Sequence, residues 1–478
     1  MIRCLNLQRL RKRGLFCSLT SLIQYHSGNG IGLDCHRDKK EYDLEIASID
    51  QLEKAVLDLY CAQLTSANLL CLLRACVKWK ALPEAKKLYR HITDHQIPLN
   101  EFLHDYMVMT LAKCGAIDEA ANAFRMMPCR SVFSWSAMIS SYVEYGNPQD
   151  ALEAYCSMQK DGIEPDSYTF VGLLKACGSI RDLEFGKQVH VHACKKGFMC
   201  ILHVGNALVN MYGNCRAILE AENVFSGLYQ RNIVSWTTML SVYIEQGEAQ
   251  KVLKLYRQMK DEGLGPDEYA FVFALQACGI LAKQKQNLGT AEAQLYFASL
   301  EIVKALHADA HKEGYANDLF VGTALVSVYG KCGTIADTEN LFCRLSQGNL
   351  VTWNAMLSAY VEHGLVKKAL LLYSQMQGER VKPGKLTYGI VFQACGILAE
   401  DENEGKLTKE KCLHILRAMF NDSHVKECST SIHVATTLIN TYAKCGSMSE
   451  AESVFNAIIV RDLVSWNAML TAYVEKGE

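Results

Sequence analysis

The sequence lacks the features that mark several common classes of protein. No apolar run approaches the ~18 to 20 residues needed to span a bilayer, so we expect no membrane partner. Its 20 cysteines include no C-x-x-C pair, and its histidines and cysteines are not spaced as metal ligands. We therefore expect no metal site and no cofactor.

The chain also lacks the positive charge that phosphate binding usually requires. Its net charge is −2, although five basic residues precede the first acidic one, Asp34. Without those five charges, residues 34–478 carry about −7. If the chain binds RNA, the bases must carry much of the recognition.

The acid-free start of the chain, residues 1–33, resembles an organelle transit peptide because it is rich in arginine and interspersed with leucine. Its basic residues are Arg3, Arg9, Arg11, Lys12 and Arg13. The arginine content favours the mitochondrion, with the chloroplast as the alternative. A disordered basic tail is the other interpretation. Residues 34–65 are interpreted as a leading helix or a linker.

A stretch of 35 residues, 132–166, organises the rest of the chain because close copies of it return further along. Its apolar residues follow helical i, i+3, i+4, i+7, i+8 spacing from Trp135, and a second stripe begins at Ala151 after a breaker at 146–148. This pattern predicts a helical hairpin. The copies begin at Ile233, Leu350 and Leu463.

Neither helix of such a hairpin can bury its apolar stripe alone, so the hairpins must stack on one another. A self-similar period of this length is typical of repeat arrays. The sequence therefore predicts an all-α fold, an α-solenoid superhelix of stacked helical hairpins.

Two other kinds of unit lie between the tryptophan-bearing hairpins. One carries an Ala-Cys pair (Cys76, Cys177, Cys278, Cys395) and the other a turn cysteine (Cys114, Cys215, Cys332, Cys445). Repeat-equivalent apolar positions indicate reduced core cysteines rather than disulfides. The tryptophans from Trp135 to Trp466 are 101, 117 and 113 residues apart, which places loop insertions of 16 and 12 residues in the units that start at Glu268 and Lys385.

This alternation resembles the P, L and S motifs of plant organelle pentatricopeptide repeat proteins of the PLS subfamily. The resemblance covers residues 66–478, with the last repeat truncated, and includes GKQVHVHACKKGF, VGNALVNMYGNC, LVTWNAMLSAYVEHG and TYAKCGSMSEAESVF. The L motifs are 66–100, 167–201, 268–318 and 385–431; the S motifs 101–131, 202–232, 319–349 and 432–462; the P motifs 132–166, 233–267, 350–384 and 463–478.

The resemblance implies that the array reads single-stranded RNA, about one base per repeat, through the fifth and last residues of P and S motifs. The P pairs are Ser136 with Asp166, Thr237 with Asp267, and Asn354 with Gly384. The S pairs are Asp105 with Ser131, Asn206 with Asn232, Thr323 with Asn349, and Thr436 with Asp462. Small hydrogen-bonding side chains of these kinds can contact a base edge.

By the family's code, Ser or Thr with Asp implies G, Thr with Asn implies A, and Asn with Asn implies a pyrimidine. Two pairs do not match a standard combination of this code: Asp105 with Ser131, and Asn354 with Gly384. The second residue of each motif is implied to wedge between bases. These wedge residues are Phe133, Val234, Val351, Val464, Phe102, Phe320, His203 and His433. In the L motifs, Leu70, Val171, Val272 and Gly389 at the fifth position cannot hydrogen-bond a base edge and are expected to space the reading units.

Each of these functional assignments has a purely structural alternative. Polar residues early in a helix are common as N-caps or solvated surface. His190, His307 and His414 recur at one position of the L motifs and are expected to pack between hairpins. The recurrent tryptophans and methionines are expected in the core.

An enzyme is not expected. Editing members of the subfamily resemble cytidine deaminases in a C-terminal domain, which pairs H-x-E with P-C-x-x-C; this chain has no P-C-x-x-C motif. The favoured function is sequence-specific recognition of single-stranded organelle RNA for RNA modification, mainly C-to-U editing, with a deaminase or another editing-complex protein acting in trans. The alternatives are RNA processing, splicing or stabilisation by binding alone, and a protein-protein scaffold.

Overall fold

The computed structural model describes residues 48–58, 66–285, 292–315, 318–332, 335–345, 349–400, 405–420, 431–458 and 461–476. These residues form helices and turns, with no strand among them. The predicted all-α fold is therefore confirmed. The predicted import signal, residues 1–33, lies outside the described residues.

The helices alternate between the first and second helix of successive hairpins, after a leading helix α1 (Ile49–Asp58). The first helices are α2 (Ser66–Trp79), α4 (Glu101–Cys114), α6 (Val132–Glu144), α8 (Ser167–Ile180), α10 (Leu202–Asn214), α12 (Ile233–Glu245), α14 (Glu268–Lys285), α16 (Leu319–Lys331), α18 (Leu350–Glu362), α20 (Lys385–Glu400), α22 (Ile432–Lys444) and α24 (Leu463–Lys476).

The second helices are α3 (Leu82–Asp94), α5 (Ile117–Arg125), α7 (Pro148–Lys160), α9 (Leu183–Lys195), α11 (Ile218–Gly227), α13 (Ala249–Asp261), α15 (Glu292–Lys312), α17 (Ile335–Arg344), α19 (Val366–Gly378), α21 (Gly405–Phe420) and α23 (Met448–Ala457). A short 3-10 turn, Phe198–Cys200, follows α9. In the described part of the chain, no helix combines the length and the apolar character needed to cross a membrane.

The breaker predicted at residues 146–148 separates the two helices of its hairpin. Helix α6 ends at Glu144, Gly146 turns the chain with φ +85°, and α7 begins at Pro148. A left-handed φ suits glycine, and proline suits the first turn of a helix. The local sequence therefore sets this turn.

The chain divides into two compact units, residues 1–173 and 174–478, with the boundary inside α8. Within the first unit, α2 contacts α4 and α4 contacts α6. Within the second unit, contacts run from each first helix to the next, from α10 to α24. In each unit the first helices are thus neighbours.

A recurring aromatic pair explains the recurring tryptophans. The ring of Phe225, on α11, meets the edge of Trp236, on α12, with centroids 5.2 Å apart, and Trp236 is completely buried. Equivalent T-shaped pairs join Phe124 to Trp135, Phe342 to Trp353 and Phe455 to Trp466. The predicted core role is confirmed for the first three tryptophans, whereas Trp466 is 49% exposed.

The Ala-Cys cysteines lie in the core as predicted. Cys76, Cys177, Cys278 and Cys395 are all buried, and the cysteines of the described residues are free thiols. Burial raises the pKa of Cys177 to about 12, so its thiol stays protonated and unreactive. The turn cysteines are buried as well, except Cys215, which is partly exposed.

The interpretation of the first insertion as a loop is wrong for much of its length. Helix α14 has 18 residues and α15 has 21, against 14 and 13 in the uninterrupted L unit formed by α8 and α9. Alanine, leucine, glutamine and glutamate, which favour helix, fill the added sequence. The first insertion therefore extends both helices of its hairpin.

Candidate nucleic-acid interface

The last residue of each pair directly precedes the next first helix, and in six of the seven pairs its side chain caps that helix; the exception is Gly384, which has no side chain. Ser131, Asn232 and Asn349 each accept a hydrogen bond from the backbone N–H three residues on. Asp166, Asp267 and Asp462 accept the same bond from Thr169, Ala270 and Ser465. The capping interpretation therefore applies to these last residues.

The fifth residues do not cap. They lie beyond the first turn of their own helix, too late to reach its free N–H groups. Several hydroxyls instead donate to a carbonyl of the preceding turn, as from Thr237 to Ile233 and from Thr323 to Leu319. Four of the fifth residues bond to the last residue of their pair or to the residue three positions after it: Asp105, Ser136, Thr323 and Asn354. Ser136, Asn354 and Thr436 are buried, at 7%, 6% and 6% exposure.

In the first unit, Ser136 and Asp166 are joined directly and through a third residue. The Ser136 hydroxyl lies 3.0 Å from Asp166 Oδ1 and 2.6 Å from the hydroxyl of Thr169. Thr169 donates its own hydroxyl proton to the same Oδ1 at 2.7 Å, and its backbone N–H donates there at 2.8 Å. This oxygen of the carboxylate is therefore saturated by protein donors.

Two pairs of the second unit are bridged in the same way. The hydroxyls of Thr323 and Thr352 are 2.8 Å apart, and Thr352 donates to Asn349 Oδ1 at 3.0 Å. In the next pair, Thr387 donates to Asn354 Oδ1 at 2.8 Å and accepts from the N–H of Gly384 at 3.0 Å. A threonine three residues after the cap links both members of each pair.

The pair Thr237 and Asp267 has no such bridge because Ala270 occupies the bridging position. In the described residues these two side chains share no hydrogen bond. The Thr237 hydroxyl donates to backbone carbonyls, and Asp267 accepts from the backbone N–H of Ala270. Burial raises the pKa of Asp267, with a smaller contribution from the charge of Glu268.

The remaining pairs differ again. Ser131 donates its hydroxyl directly to Asp105 Oδ2 at 2.8 Å. Asn206 Oδ1 is buried with no partner in the described residues, while its cap, Asn232, accepts from Ser235. An orphaned buried oxygen is costly and marks Asn206 as ready to accept a donor. Thr436 bonds to its own helix at the carbonyl of His433.

The predicted wedge residues lie next to these pairs and present apolar surface to solvent. Val234, Val351 and Phe320 are 49%, 60% and 50% exposed, and Phe133 is half-buried. Large apolar side chains that remain this exposed at equivalent places of successive repeats suit a stacking partner. Each wedge residue thus lies on the same first helix as the fifth residue of its pair, three residues before it, while the last residue of the pair stands at the start of the next first helix.

Two of the repeated histidines contact the next hairpin. His190 and His307 each bond through Nδ1 to a tyrosine hydroxyl of the next first helix, Tyr212 and Tyr329, at 2.8 and 3.2 Å. Burial lowers the pKa of both. Throughout the described residues, no group of three or more His, Cys, Asp or Glu could hold a metal ion.

The bridging threonines are the residues that sequence reasoning missed. They sit at the third position of the following repeat, where serine, threonine or alanine recurs, and this recurrence was visible in the sequence. Thr169, Thr352 and Thr387 are fully buried. A buried hydroxyl at a fixed register is a signal that something must accept or donate to it.

Comparison with known families identifies the repeats. Residues 130–179, 231–279 and 348–396 match a family described as "PPR repeat family", and residues 434–463 match one described as "PPR repeat". The first three matches begin within two residues of the starts of the P units predicted at 132, 233 and 350.

Similar proteins occur in Arabidopsis thaliana. A chloroplastic pentatricopeptide repeat-containing protein is 28% identical over 412 residues, covering 86% of this chain and 47% of its own length. Another chloroplastic member is 31% identical over 390 residues, covering 81% and 44%. The chain spans about half the length of the curated relatives it matches.

Among solved structures, the pentatricopeptide repeat protein PPR10 in complex with an 18-nt psaJ RNA element matches with a TM-score of 0.51. The match covers 90% of this chain and 65% of the other, at 17% sequence identity. At this identity the likeness concerns the fold, which is the same solenoid of helical hairpins.

Proposed function

We propose that this chain, whose pentatricopeptide repeats resemble those of plant proteins, binds single-stranded RNA by sequence. One base lies at each pair of fifth and last residues in the P and S motifs. The proposed contacts are Ser136, Asp166, Asn206, Asn232, Thr237, Asp267, Thr323, Asn349, Asn354, Gly384, Thr436 and Asp462, with Phe133, Val234 and Val351 between bases.

The observation that carries the proposal is the recurring polar pair beside an exposed apolar residue. Side chains that only capped helices would not need a second polar group bonded beside the cap, as is found for Asp105, Ser136, Thr323 and Asn354. Valine at 49% to 60% exposure is likewise unexplained by packing alone. Bases splayed from a single strand can fill both needs, since they offer a hydrogen-bonding edge and a flat apolar face.

The chemistry of the pairs supports different bases at different repeats. An ionised carboxylate such as Asp267 only accepts hydrogen bonds, and guanine presents two neighbouring donors on its Watson–Crick edge. Asn349 offers both a donor and an acceptor, which suits the donor and acceptor of adenine. These assignments agree with those implied by the family's code.

The net charge of the chain predicts how RNA binding should depend on salt concentration. Since residues 34–478 carry about −7, few phosphates are neutralised on binding. The logarithm of affinity should therefore fall only shallowly with the logarithm of salt concentration, corresponding to a few released counterions at most. A steep slope, like that of a basic nucleic-acid-binding protein, would place recognition on the backbone instead of the bases.

Within RNA biology, the role that we propose is recognition for C-to-U editing in an organelle, with the deaminase supplied by another protein. The alternation of P, L and S units supports this role. The basic leader favours the mitochondrion, while the names of several relatives include the word chloroplastic. Fusion of residues 1–60 to a fluorescent reporter tests the import signal and shows which organelle it enters.

The binding proposal is tested by selecting from a randomised single-stranded RNA library and competing the product with double-stranded RNA of the same sequence. Enrichment of one ungapped motif, held only as a single strand, supports the proposal. Equal binding to both forms, or no enriched sequence, contradicts it and favours a protein scaffold.

The editing role needs a separate test. Organelle transcripts are sequenced from cells with and without the protein, and cytidines near the selected motif are compared. Loss of conversion at one such cytidine supports editing. Unchanged conversion with altered transcript ends, splicing or abundance supports binding alone.

A further inference from the structure

The third residue of each first helix differs among the repeats that follow a reading pair. It is threonine after three pairs, serine after three and alanine after one. These residues are Thr169, Thr352 and Thr387; Ser134, Ser235 and Ser465; and Ala270. All seven are buried.

The residue type decides which groups the buried hydroxyl contacts. All three threonines bond to the fifth residue of the preceding repeat, at 2.6 to 2.8 Å. The serines bond to the cap residue only: Ser134 and Ser465 donate to the cap's carbonyl, and Ser235 to its side chain. Threonine is β-branched and has few χ1 options, so its hydroxyl is held in one direction.

The bridge changes what the pair can offer to a base. With Thr169 in place, Asp166 Oδ1 accepts from the Thr169 hydroxyl and the Thr169 N–H, and the Ser136 hydroxyl has two acceptors within reach of its one proton, Thr169 Oγ1 and Asp166 Oδ1. The single proton of Ser136 is therefore engaged, and Ser136 keeps only lone pairs for an incoming group. In the described residues, no donor reaches Asp166 Oδ2. The bridged pair thus presents acceptors alone, in a fixed direction.

We propose that Thr169, Thr352 and Thr387 are positioning residues for base selection, supplied to each reading pair by the following repeat. A bridging threonine fixes the donor and acceptor pattern of the pair before RNA arrives, whereas Ala270 leaves Thr237 and Asp267 free to adjust. The inference rests on the proposed function, since it names a third determinant of the same site.

The expected consequence is narrower base selection at bridged pairs. Without the bridge, the Ser136 hydroxyl keeps one partner, Asp166 Oδ1, instead of two, so it turns more readily to donate to a base or to accept from one, which admits adenine as well as guanine. One ordinary hydrogen bond contributes about 0.5 to 1.5 kcal/mol, which corresponds to roughly twofold to tenfold in relative affinity. An effect of this size should appear at one base only.

The first test is Thr169→Val, which keeps the branched shape and removes the hydroxyl. Preference for guanine over adenine at the base read by Ser136 and Asp166 should fall by roughly twofold to tenfold, with the other positions unchanged. The matched control is Thr110→Val, because Thr110 is equally buried but donates only to the carbonyl of Tyr106 in its own helix. That variant should lose stability without altering selection at any base.

The reciprocal test is Ala270→Thr, which supplies the missing hydroxyl to Thr237 and Asp267. Threonine is accommodated in full burial at the three equivalent positions, so we expect the fold to accept it. Guanine preference at this base should sharpen, again by roughly twofold to tenfold. This variant also keeps the inference testable if Thr169→Val fails to fold.

The outcomes distinguish failure of the positioning role from failure of the RNA-binding proposal. If the wild type selects a motif but neither variant alters selection at its own base, the positioning role is wrong and the RNA-binding proposal stands. An even loss across all bases, matched by Thr110→Val, assigns the threonine a structural role only and also overturns the inference. If the wild type selects no sequence, the RNA-binding proposal and the positioning role are both contradicted.

Discussion

The pairs Ser136 with Asp166 and Thr237 with Asp267 consist of nearly the same residues, yet they are held differently. The first pair shares a saturated set of hydrogen bonds with Thr169. The second has no mutual bond among the described residues, since each member bonds separately to the backbone. By residue type alone, both would read guanine.

The difference shows that a reading pair is not a self-contained unit. Its hydrogen-bonding state depends on the residue three positions into the next repeat, Thr169 in one case and Ala270 in the other. Each hairpin packs its apolar side chains against its neighbours. The hydrogen bonds of its polar side chains also depend on those neighbours. Under the proposed function, base specificity and stability should therefore be coupled between adjacent repeats.

The largest expected effect comes from removing the buried side chain that packs next to one pair. Trp236→Ala deletes a fully buried indole that packs on Phe225, directly beside Thr237. Such truncations typically cost about 3 to 5 kcal/mol. Chemical denaturation should show this loss, and selection at the Thr237 base should weaken more than at the Ser136 base.

Tyr229→Ala provides the control, because Tyr229 is 96% exposed and should change the free energy of unfolding by less than about 0.5 kcal/mol. Equal losses for the two variants would refute the packing account of the tryptophans.

A smaller effect separates the two aspartates. Asp166→Ala removes a cap and strips the buried hydroxyls of Ser136 and Thr169 of their common acceptor, whereas Asp267→Ala removes a cap alone. Loss of a cap costs about 0.5 to 2 kcal/mol, and each hydroxyl left unsatisfied adds to it. Parallel denaturation should find Asp166→Ala the less stable variant. Identical stability would mean that the hydrogen bonds around Thr169 contribute nothing.

The smallest effect is the response to pH at Asp267. Burial raises its pKa, so this carboxyl takes up a proton at a higher pH than an unfolded aspartate does. As the pH falls through the raised pKa, the group becomes a donor and guanine preference at this base should decline. In the same window its contribution to stability rises, because the folded state binds the extra proton.

Binding of RNAs that differ only at this base, measured from about pH 7 down to the ordinary aspartate range at about pH 4, tests this response. Asp267→Asn should show no such dependence at that base. A pH response that is equal in wild type and Asp267→Asn would contradict the role of this carboxyl.

Much of the fold could be predicted because its signals are local. The apolar spacing around Trp135 and the turn at Gly146 fixed the hairpins, and repetition fixed the stacking. The added residues of α14 and α15 were misjudged because an insertion's length does not say whether it extends a helix or a loop. The helix propensity of the added residues was the better predictor of their structure.

The candidate site was predictable only in part. The places of the fifth and last residues followed from register, but the bridge from Thr169 joins side chains 33 residues apart, from Ser136 to the next repeat. Such a contact depends on how two hairpins pack, which spacing within one repeat cannot reveal. Likewise, the orphaned oxygen of Asn206 becomes visible only once its surroundings are known.

The most direct measurement compares wild type with Thr237→Asn on a randomised single-stranded RNA library. The central claim is that each pair reads one base. Wild type should select guanine at the base facing Thr237 and Asp267, and the variant should shift that base alone towards uracil. A single mismatch costs on the order of 1 to 3 kcal/mol in sequence-reading complexes, so the shift should be roughly tenfold. Selection of the same base by both proteins, or of no sequence by wild type, would contradict the account.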